Sequence, residues 1–180
     1  MLIRPAEPAV DAAEVAAIYR PVVTDTHISF EEEAPDSHEM QRRMEATLAH
    51  TPWLVAEEDG AVGGYAYAVP HRERAAYRWS VDISVYLAAE LRGRRVGRLL
   101  YDRLLPIIER QGFVNVYAGV ALPNPASEAL HRSIGMEPVG TYRAVGYKRG
   151  SWWDVTWYGM RLAHPQDPPP EPTPFPLLEG

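Results

Sequence analysis

The chain has 180 residues, a formal net charge of −6, 46% hydrophobic residues and no cysteine. This length fits one domain with a sizeable core, and the hydrophobic share favours a folded chain over a disordered one. The negative charge argues against a nucleic-acid-binding protein. The lack of cysteine excludes a disulfide scaffold, a cysteine-ligated zinc site and a thiol nucleophile. No signal sequence or long apolar run is visible, so we expect a cytoplasmic protein without a membrane partner.

The first part of the chain predicts a strand, two helices and a β-hairpin. The expected elements are a strand at 2–4, a helix capped by Asp11 and running to about Val23, a helix capped by Asp36 or Ser37 and running to about Ala49, and strands at 53–57 and 61–69 that Asp59-Gly60 joins. Between the helices lies the acidic run Glu31–Glu33. Charge runs usually face solvent, so a solvated rim fits this run better than a metal site.

The stretch 79–87 predicts a strand with two different faces. The apolar positions Trp79, Val81, Ile83 and Val85 alternate with the polar positions Ser80, Asp82, Ser84 and Tyr86. A carboxylate at the centre of the polar row is unusual for a buried strand. Asp82 is therefore a candidate for chemistry, and the alternative is a buried aspartate paired with Arg72 or Arg74.

A basic loop at 92–98 follows this strand and opens a helix. The apolar stripe of that helix is Leu99, Leu100, Leu104, Ile107 and Ile108. The first N–H groups of a helix lack intrahelical acceptors and bind anions, and Gly93 and Gly97 let a phosphate approach the backbone closely. The strings typical of nucleotide-hydrolysing P-loops and of dinucleotide-binding loops are absent. The loop therefore predicts a site for the phosphate or pyrophosphate of another ligand.

The remainder of the chain completes a mixed sheet. Gly112 ends the helix, and the expected elements after it are a strand at 114–122, a helix at 126–134 with Asn124 as its N-cap, and strands at 137–148 and 152–162. The order β–α–α–β–β–β–α–β–α–β–β predicts an α/β fold with helices on both faces of the sheet. We divide the chain into a domain at 1–163 and a proline-rich tail at 164–180. Seven prolines make the tail an extended appendage, with Phe175, Leu177 and Leu178 available to pack on a neighbour.

Several of these segments resemble the GCN5-related N-acetyltransferases. The acetyl-CoA loop of that family reads [QR]-x-x-G-x-[GA]; here Arg92 takes its first position and Gly97 its last, while Arg95 replaces the middle glycine. The predicted element order is also that of the family. Within it, the chain is similar to the phosphinothricin and methionine sulfone acetyltransferase branch, through P-W-L-V-A-E at 52–57, V-D-I-S-V-Y at 81–86, Q-G-F at 111–113 and R-A-V-G-Y-K at 143–148.

The resemblance implies that acetyl-CoA is the co-substrate and that no metal is needed. The residues that it assigns to acetyl-CoA are Val85, Tyr86, Leu87, Arg92, Gly93, Arg94, Arg95, Val96, Gly97, Arg98 and Asn124. The backbone N–H of Val85 or Tyr86 would stabilise the oxyanion of the reaction. The role of Asn124 as a helix cap would by itself explain that residue.

Asp82 and His131 are the catalytic candidates that the resemblance implies. Asp82 takes the position of the general base of the family, which is usually a glutamate; the shorter side chain favours a relaying water over direct contact with the amine. His131 takes the position of a tyrosine that protonates the departing CoA thiolate, and histidine exchanges protons near neutral pH. The alternative for His131 is a solvated helix residue that only forms local hydrogen bonds.

The implied acceptor is a small amino-acid-like molecule, such as phosphinothricin, methionine sulfone or methionine sulfoximine. Its α-amino group would be acetylated by direct transfer in a ternary complex, because no cysteine exists to carry the acetyl group. Arg72 and Arg74 would bind the anionic group of the acceptor, while Phe30, Tyr77 and Val155 would wall its apolar part. The alternative for the two arginines is surface solubility.

Two rival functions stay open at this point. One is the same reaction on a polyamine, a peptide N-terminus or an aminoglycoside, for which the acidic run at 31–33 would suit a cationic acceptor. The other is an acetyl-CoA sensor without catalysis, which the departures at Asp82 and Arg95 keep open. The aromatic residues of the last strand, Trp152, Trp153, Trp157 and Tyr158, cannot all face one core, so we also expect a homodimer.

Overall fold

The computed structural model describes residues 1–178 and has the predicted order of elements. The strands are β1 (Leu2–Pro5), β2 (Trp53–Glu58), β3 (Ala61–Pro70), β4 (Ser80–Leu87), β5 (Asn115–Ala121), β6 (Glu137–Lys148) and β7 (Ser151–Arg161). The α-helices are α1 (Pro8–Asp25), α2 (Ser37–Leu48), α3 (Val96–Arg110) and α4 (Pro125–Ser133). Asp59 and Gly60 both adopt positive φ angles at the tip of the β2–β3 hairpin, as the sequence predicts.

The seven strands form one mixed sheet in the order β1-β2-β3-β4-β5-β7-β6. All neighbouring pairs are antiparallel except β4 and β5, which are parallel. These two strands pair only between residues 80–82 and residues 115–117. Beyond Asp82 they diverge, which leaves an opening in the middle of the sheet.

A hydrophobic core covers each face of the sheet. Helices α1 and α2 cover one face, where Val15 and Met44 are buried with Val55 of β2. Helix α3 covers the other face and buries Leu100 and Ile108. The predicted stripe of α3 is wrong at Leu99, which is 46% exposed, because this residue turns toward the sheet opening. In the described residues, no helix is long and apolar enough to span a membrane.

The predicted start of the first helix is wrong by one turn. The helix begins at Pro8, and Asp11 lies inside its first turn rather than at the cap. The buried carboxylate of Asp11 accepts hydrogen bonds from the Arg4 guanidinium at 2.7 and 2.8 Å and from the backbone N–H of Glu7 at 2.7 Å. Asp11 thus accepts a backbone N–H at the helix N-terminus and also links the helix to β1.

The described part of the proline-rich tail packs against its own chain. Gln111, at the end of α3, donates its side-chain amide to the carbonyl oxygens of Thr173 and His50. Phe175 is buried beside these bonds, which differs from the expected packing on a neighbour, while Leu177 is 70% exposed. Glu179 and Gly180, which the predicted tail includes, lie outside the described residues.

Candidate active site

The sheet opening forms a cleft with a volume of about 1020 Å³. Its walls come from β4, the loop at 92–98, the first turn of α3, β5 and α4. Eleven residues predicted from the sequence line it: Val85, Tyr86, Leu87, Arg92, Gly93, Arg95, Val96, Gly97, Arg98, Asn124 and His131. The structure therefore brings these predicted residues together around a single space.

The loop at 92–98 keeps a glycine-like conformation where the family glycine is missing. Arg95 is the N-cap of α3 and adopts the left-handed region, with φ 62° and ψ 13°. A non-glycine residue reaches this region at a cost of about 1 kcal/mol, so the replacement alters the side chain and preserves the path of the loop. Arg94 points elsewhere: it pairs with Glu58 of β2 at 2.9 Å, outside the cleft.

The backbone of β4 presents free N–H groups to the cleft. Ala88 donates its N–H to Gly63 on the β3 side. Since N–H groups alternate along a strand, those of Ser84 and Tyr86 also face β3, and those of Val85 and Leu87 face the opening. Of the two predicted oxyanion donors, this geometry favours Val85 over Tyr86.

Asp82 lies at the apex of the opening, and its partner is a histidine. His71 Nδ1 lies 2.5 Å from Asp82 Oδ1, and both side chains are half-buried. The alternative pairing with Arg72 or Arg74 is absent from the described residues, since Arg72 stacks over Trp157 and donates to the backbone of His71. Burial raises the pKa of the Asp82 carboxyl above its ordinary value, and the hydrogen bond from His71 offsets part of this rise.

His131 is buried and is held at both ring nitrogens. Its Nδ1 lies 2.7 Å from the carbonyl oxygen of Ser127, which only accepts, so Nδ1 carries the hydrogen. Its Nε2 lies 3.2 Å from the hydroxyl of Tyr101 and accepts from it. Burial lowers the pKa of His131, which favours the neutral ring. His131 is therefore not a solvated helix residue, and its role in protonating the departing thiolate stays a prediction.

Asn124 has the predicted cap role and lies where the predicted ligand contact could form. Its side-chain oxygen accepts the backbone N–H of Ser127 at 3.2 Å and so caps α4. Asn124 also lines the cleft, so the cap and a ligand contact do not exclude each other.

The structure places two of the residues predicted to bind the acceptor beside His71 and the other three on separate elements. Tyr77 packs edge-on to His71, with ring centroids 6.1 Å apart, and Arg72 is bonded to the same residue. Arg74 is exposed at the start of a short 3₁₀ helix. Phe30 lies over Gly146 of β6, where an added Cβ would come within 2.2 Å of its ring. Val155 lies on β7, opposite Ala121 of β5.

The acidic run at 31–33 is only in part a solvated rim. Glu32 and Glu33 are exposed, but Glu31 is half-buried. Its carboxylate accepts two hydrogen bonds from Arg43, at 2.9 and 3.0 Å, and one from the hydroxyl of Tyr19. Burial alone would raise the pKa of Glu31, but Arg43 and Tyr19 lower it below its ordinary value.

Comparison with known proteins identifies the family. A model of the acetyltransferase (GNAT) domain matches residues 3–157, which is most of the chain. The chain belongs to the GNAT acetyltransferase family. It is an N-acetyltransferase whose described residues contain no group of three histidine, aspartate or glutamate side chains that could hold a metal.

Three relatives of this GNAT enzyme cover nearly its whole length. A phosphinothricin N-acetyltransferase of Streptomyces viridochromogenes is 39% identical over 168 residues, which are 93% of this chain and 91% of the relative. An L-methionine sulfoximine/L-methionine sulfone acetyltransferase of Salmonella typhimurium is 34% identical, over 90% of this chain and 95% of the relative. The crystal structure of a phosphinothricin acetyltransferase from Sinorhizobium meliloti in complex with acetyl-CoA is 35% identical. It has a TM-score of 0.88 and covers 96% of this chain and 92% of its own.

Three residues with notable contacts around the candidate site of this GNAT chain received no functional role from the sequence. His71 lies diagonally across the β3–β4 hairpin from Asp82, and the register of that hairpin was the signal that could have found it. Tyr101 of α3 is buried beside His131, and neither the predicted stripe nor a motif includes it. Lys148 is buried at the end of β6 and donates to the carbonyl oxygens of Val23, Ser29 and Glu31; it ends the R-A-V-G-Y-K string, which gave no sign of these contacts.

Proposed function

We propose that this GNAT enzyme transfers the acetyl group of acetyl-CoA to the α-amino group of a small amino-acid-like acceptor. Both substrates would bind at once and react directly. The observation that carries the proposal is the opening between β4 and β5. A cleft with an arginine-lined rim lies on this opening, and a carboxylate–histidine pair lies at its apex.

The cleft has the features that acetyl-CoA requires. Arg92, Arg95 and Arg98 surround the N-terminus of α3, whose first N–H groups have no intrahelical acceptor and would bind the pyrophosphate. The free edge of β4 would pair with the amide groups of the pantetheine arm. The N–H of Val85 would then face the thioester oxygen.

The chemistry assigned to the chain has three parts. The Asp82–His71 pair removes a proton from the acceptor ammonium group, so that the amine can attack the thioester carbon. The Val85 N–H stabilises the oxyanion that forms. The Tyr101 hydroxyl, which donates to His131 Nε2 in the free enzyme, exchanges this hydrogen bond for one to the departing sulfur. No covalent acetyl-enzyme is required, and no cysteine is available to form one.

The acceptor class is inferred from two sources. The names of two relatives specify phosphinothricin and L-methionine sulfoximine or sulfone. Arg72 and Arg74 lie in the loop beside the Asp82–His71 pair and suit the anionic groups of such molecules. A cationic acceptor is less suited, because Glu31 is already engaged by Arg43.

We also propose that the enzyme forms a homodimer through the outer edge of the sheet. Large apolar side chains are exposed there on β6 and β7: Val139, Tyr142, Val145, Tyr147 and Trp152. Of the four aromatic residues of β7 named in the sequence analysis, Trp152 is the exposed one, at 64%. Such a strip on an edge strand is typical of a surface that pairs with another chain.

A thiol-release assay with acetyl-CoA tests the function. The amines would be methionine sulfone, methionine sulfoximine, phosphinothricin, spermidine and a short peptide, each also assayed with Asp82→Ala. We expect turnover of the first three and loss of at least about 100-fold in kcat/KM for the variant. Turnover of spermidine or the peptide alone would overturn the acceptor class, and tight acetyl-CoA binding without any turnover would favour the sensor.

A further inference from the structure

We propose that His71 is the group that takes the proton from the acceptor amine, and that Asp82 positions it. This inference rests on the proposed acetyl transfer and names a catalytic residue for it. It starts from the length of the carboxylate: aspartate is one methylene, about 1.5 Å, shorter than glutamate. The imidazole of His71 fills the space in front of that shorter side chain.

The β3–β4 hairpin fixes His71 in this position. Val69 lies opposite Asp82, so His71 is the diagonal cross-strand neighbour of Asp82 on the same face. The backbone N–H of His71 donates to the carbonyl oxygen of Ser80 at 3.0 Å, which extends the hairpin by one bond. The imidazole is therefore carried by the sheet rather than by a free loop.

Aromatic rings hold the imidazole on several sides. The ring of Tyr117 from β5 lies 4.6 Å from it, that of Trp157 from β7 lies 5.8 Å away, and that of Tyr77 lies 6.1 Å away. The charged or titratable groups that face His71 are Asp82, Arg72, Tyr77 and Tyr117. Of these, Asp82 is the carboxylate, and it bonds to Nδ1.

The bond to Asp82 decides which nitrogen of His71 is basic. An ionised carboxylate accepts only, so Nδ1 carries the hydrogen and Nε2 keeps its lone pair. In residues 1–178, Nε2 of His71 has no hydrogen-bond partner. The fully buried side-chain atoms without a hydrogen-bond partner belong to His27, Trp53, Gln111 and Trp157. Nε2 of His71 is not among them, so it is not fully buried. Nε2 is therefore open to the space beside the apex.

The proposed step conserves atoms and charge. One proton of the acceptor ammonium moves to Nε2, and the resulting imidazolium keeps its Nδ1–H bond to Asp82. The amine nitrogen forms a bond to the acetyl carbon while the bond from that carbon to sulfur breaks with its electron pair. A second proton leaves the nitrogen and ends on the CoA sulfur. His71 then releases its proton to solvent, so each turnover yields one proton.

The test replaces His71 by asparagine, which can still donate to Asp82 but has no basic nitrogen. With any amine that the wild type acetylates, we expect kcat/KM to fall at least about 100-fold while the Kd of acetyl-CoA changes less than about twofold. In the wild type, kcat/KM should be low at acid pH, rise with pH and then stay constant. In the variant the rise should move to higher pH and follow the fraction of acceptor present as the free amine, because no imidazole then removes the proton. His164→Asn, at an exposed histidine, is the matched control.

The double variant His71→Asn, Asp82→Glu separates catalysis from structure. The longer carboxylate reaches the amine itself, so we expect recovery of at least about tenfold over His71→Asn. A wild-type pH profile retained in His71→Asn, or activity within about threefold of the wild type, would overturn the proposal. Nitrogen NMR of the six histidines, with His71 assigned from the variant, locates the ring hydrogen without any acetylation. A hydrogen on Nε2 instead of Nδ1 would also overturn the proposal, whereas lack of turnover on every amine would overturn only the proposed function.

Discussion

The two sides of the sheet opening differ in the chemical groups that they offer to a ligand. The cleft side, formed by residues 85–98 and α4, offers backbone N–H groups and arginines from one continuous stretch. The side that we propose for the acceptor, comprising Asp82, His71 and the loops at 26–36 and 71–78, depends on side chains from separate strands. His71 follows β3, Tyr117 lies on β5 and Trp157 on β7. The first side is therefore sensitive to added volume, and the second to the loss of single contacts.

A side chain at Gly97 is expected to give the largest effect on the cleft side. An added Cβ would lie 3.0 Å from Leu130 and 3.7 Å from Leu87, both of which line the cleft. In Gly97→Val the branched side chain fills this space at the helix N-terminus. We expect the Kd of acetyl-CoA, measured by calorimetry, to rise about 100-fold, or about 2.7 kcal/mol.

Gly140→Val is the matched control for this change. Nothing lies within 4 Å of a Cβ at Gly140, which is on β6 and away from the cleft. Its Kd for acetyl-CoA should equal that of the wild type. A Kd within about threefold of the wild type for a folded Gly97→Val protein would mean that the cleft side does not bind through close approach to the backbone.

The same contrast explains what the sequence revealed and what it did not. The order of elements, the caps at Asp36 and Asn124 and the loop at 92–98 are local patterns, and the structure has them. His71 and Asp82 are 11 residues apart and meet only through the register of a hairpin. Lys148 meets Ser29 and Val23 across more than a hundred residues of chain, which no periodicity encodes.

The acceptor side should respond more moderately to the loss of Lys148. Its ammonium group donates to three carbonyl oxygens, at 2.6 to 2.7 Å, and so fixes the loop that carries Phe30. In Lys148→Met these oxygens lose their partner at similar side-chain length. We expect the free energy of unfolding to fall by about 2–3 kcal/mol and the KM of the acceptor to rise about tenfold.

Urea unfolding and steady-state kinetics measure these two quantities. Arg149→Met, which removes a neighbouring exposed cation with one bond to Thr24, is the control and should leave KM nearly unchanged. The Kd of acetyl-CoA should stay the same in both variants. If Lys148→Met weakened acetyl-CoA binding as much as acceptor binding, the two sides would not be independent.

The smallest effect should come from the exposed edge of the sheet. Trp152 packs against Tyr147 with ring centroids 5.2 Å apart, and Gly146, the neighbour of Tyr147, lies under Phe30 of the acceptor side. A charge in the proposed dimer surface, Trp152→Glu, should give monomers in light scattering. Because the surface continues into the acceptor side, the KM of the acceptor should then rise about threefold, while the Kd of acetyl-CoA stays constant.

Val10→Glu, at a similarly exposed apolar residue on α1, should leave the dimer intact. A wild-type protein with the mass of one chain would refute the dimer without touching either substrate site. A dimer that dissociates in Trp152→Glu without any change in KM would confine the role of this edge to assembly.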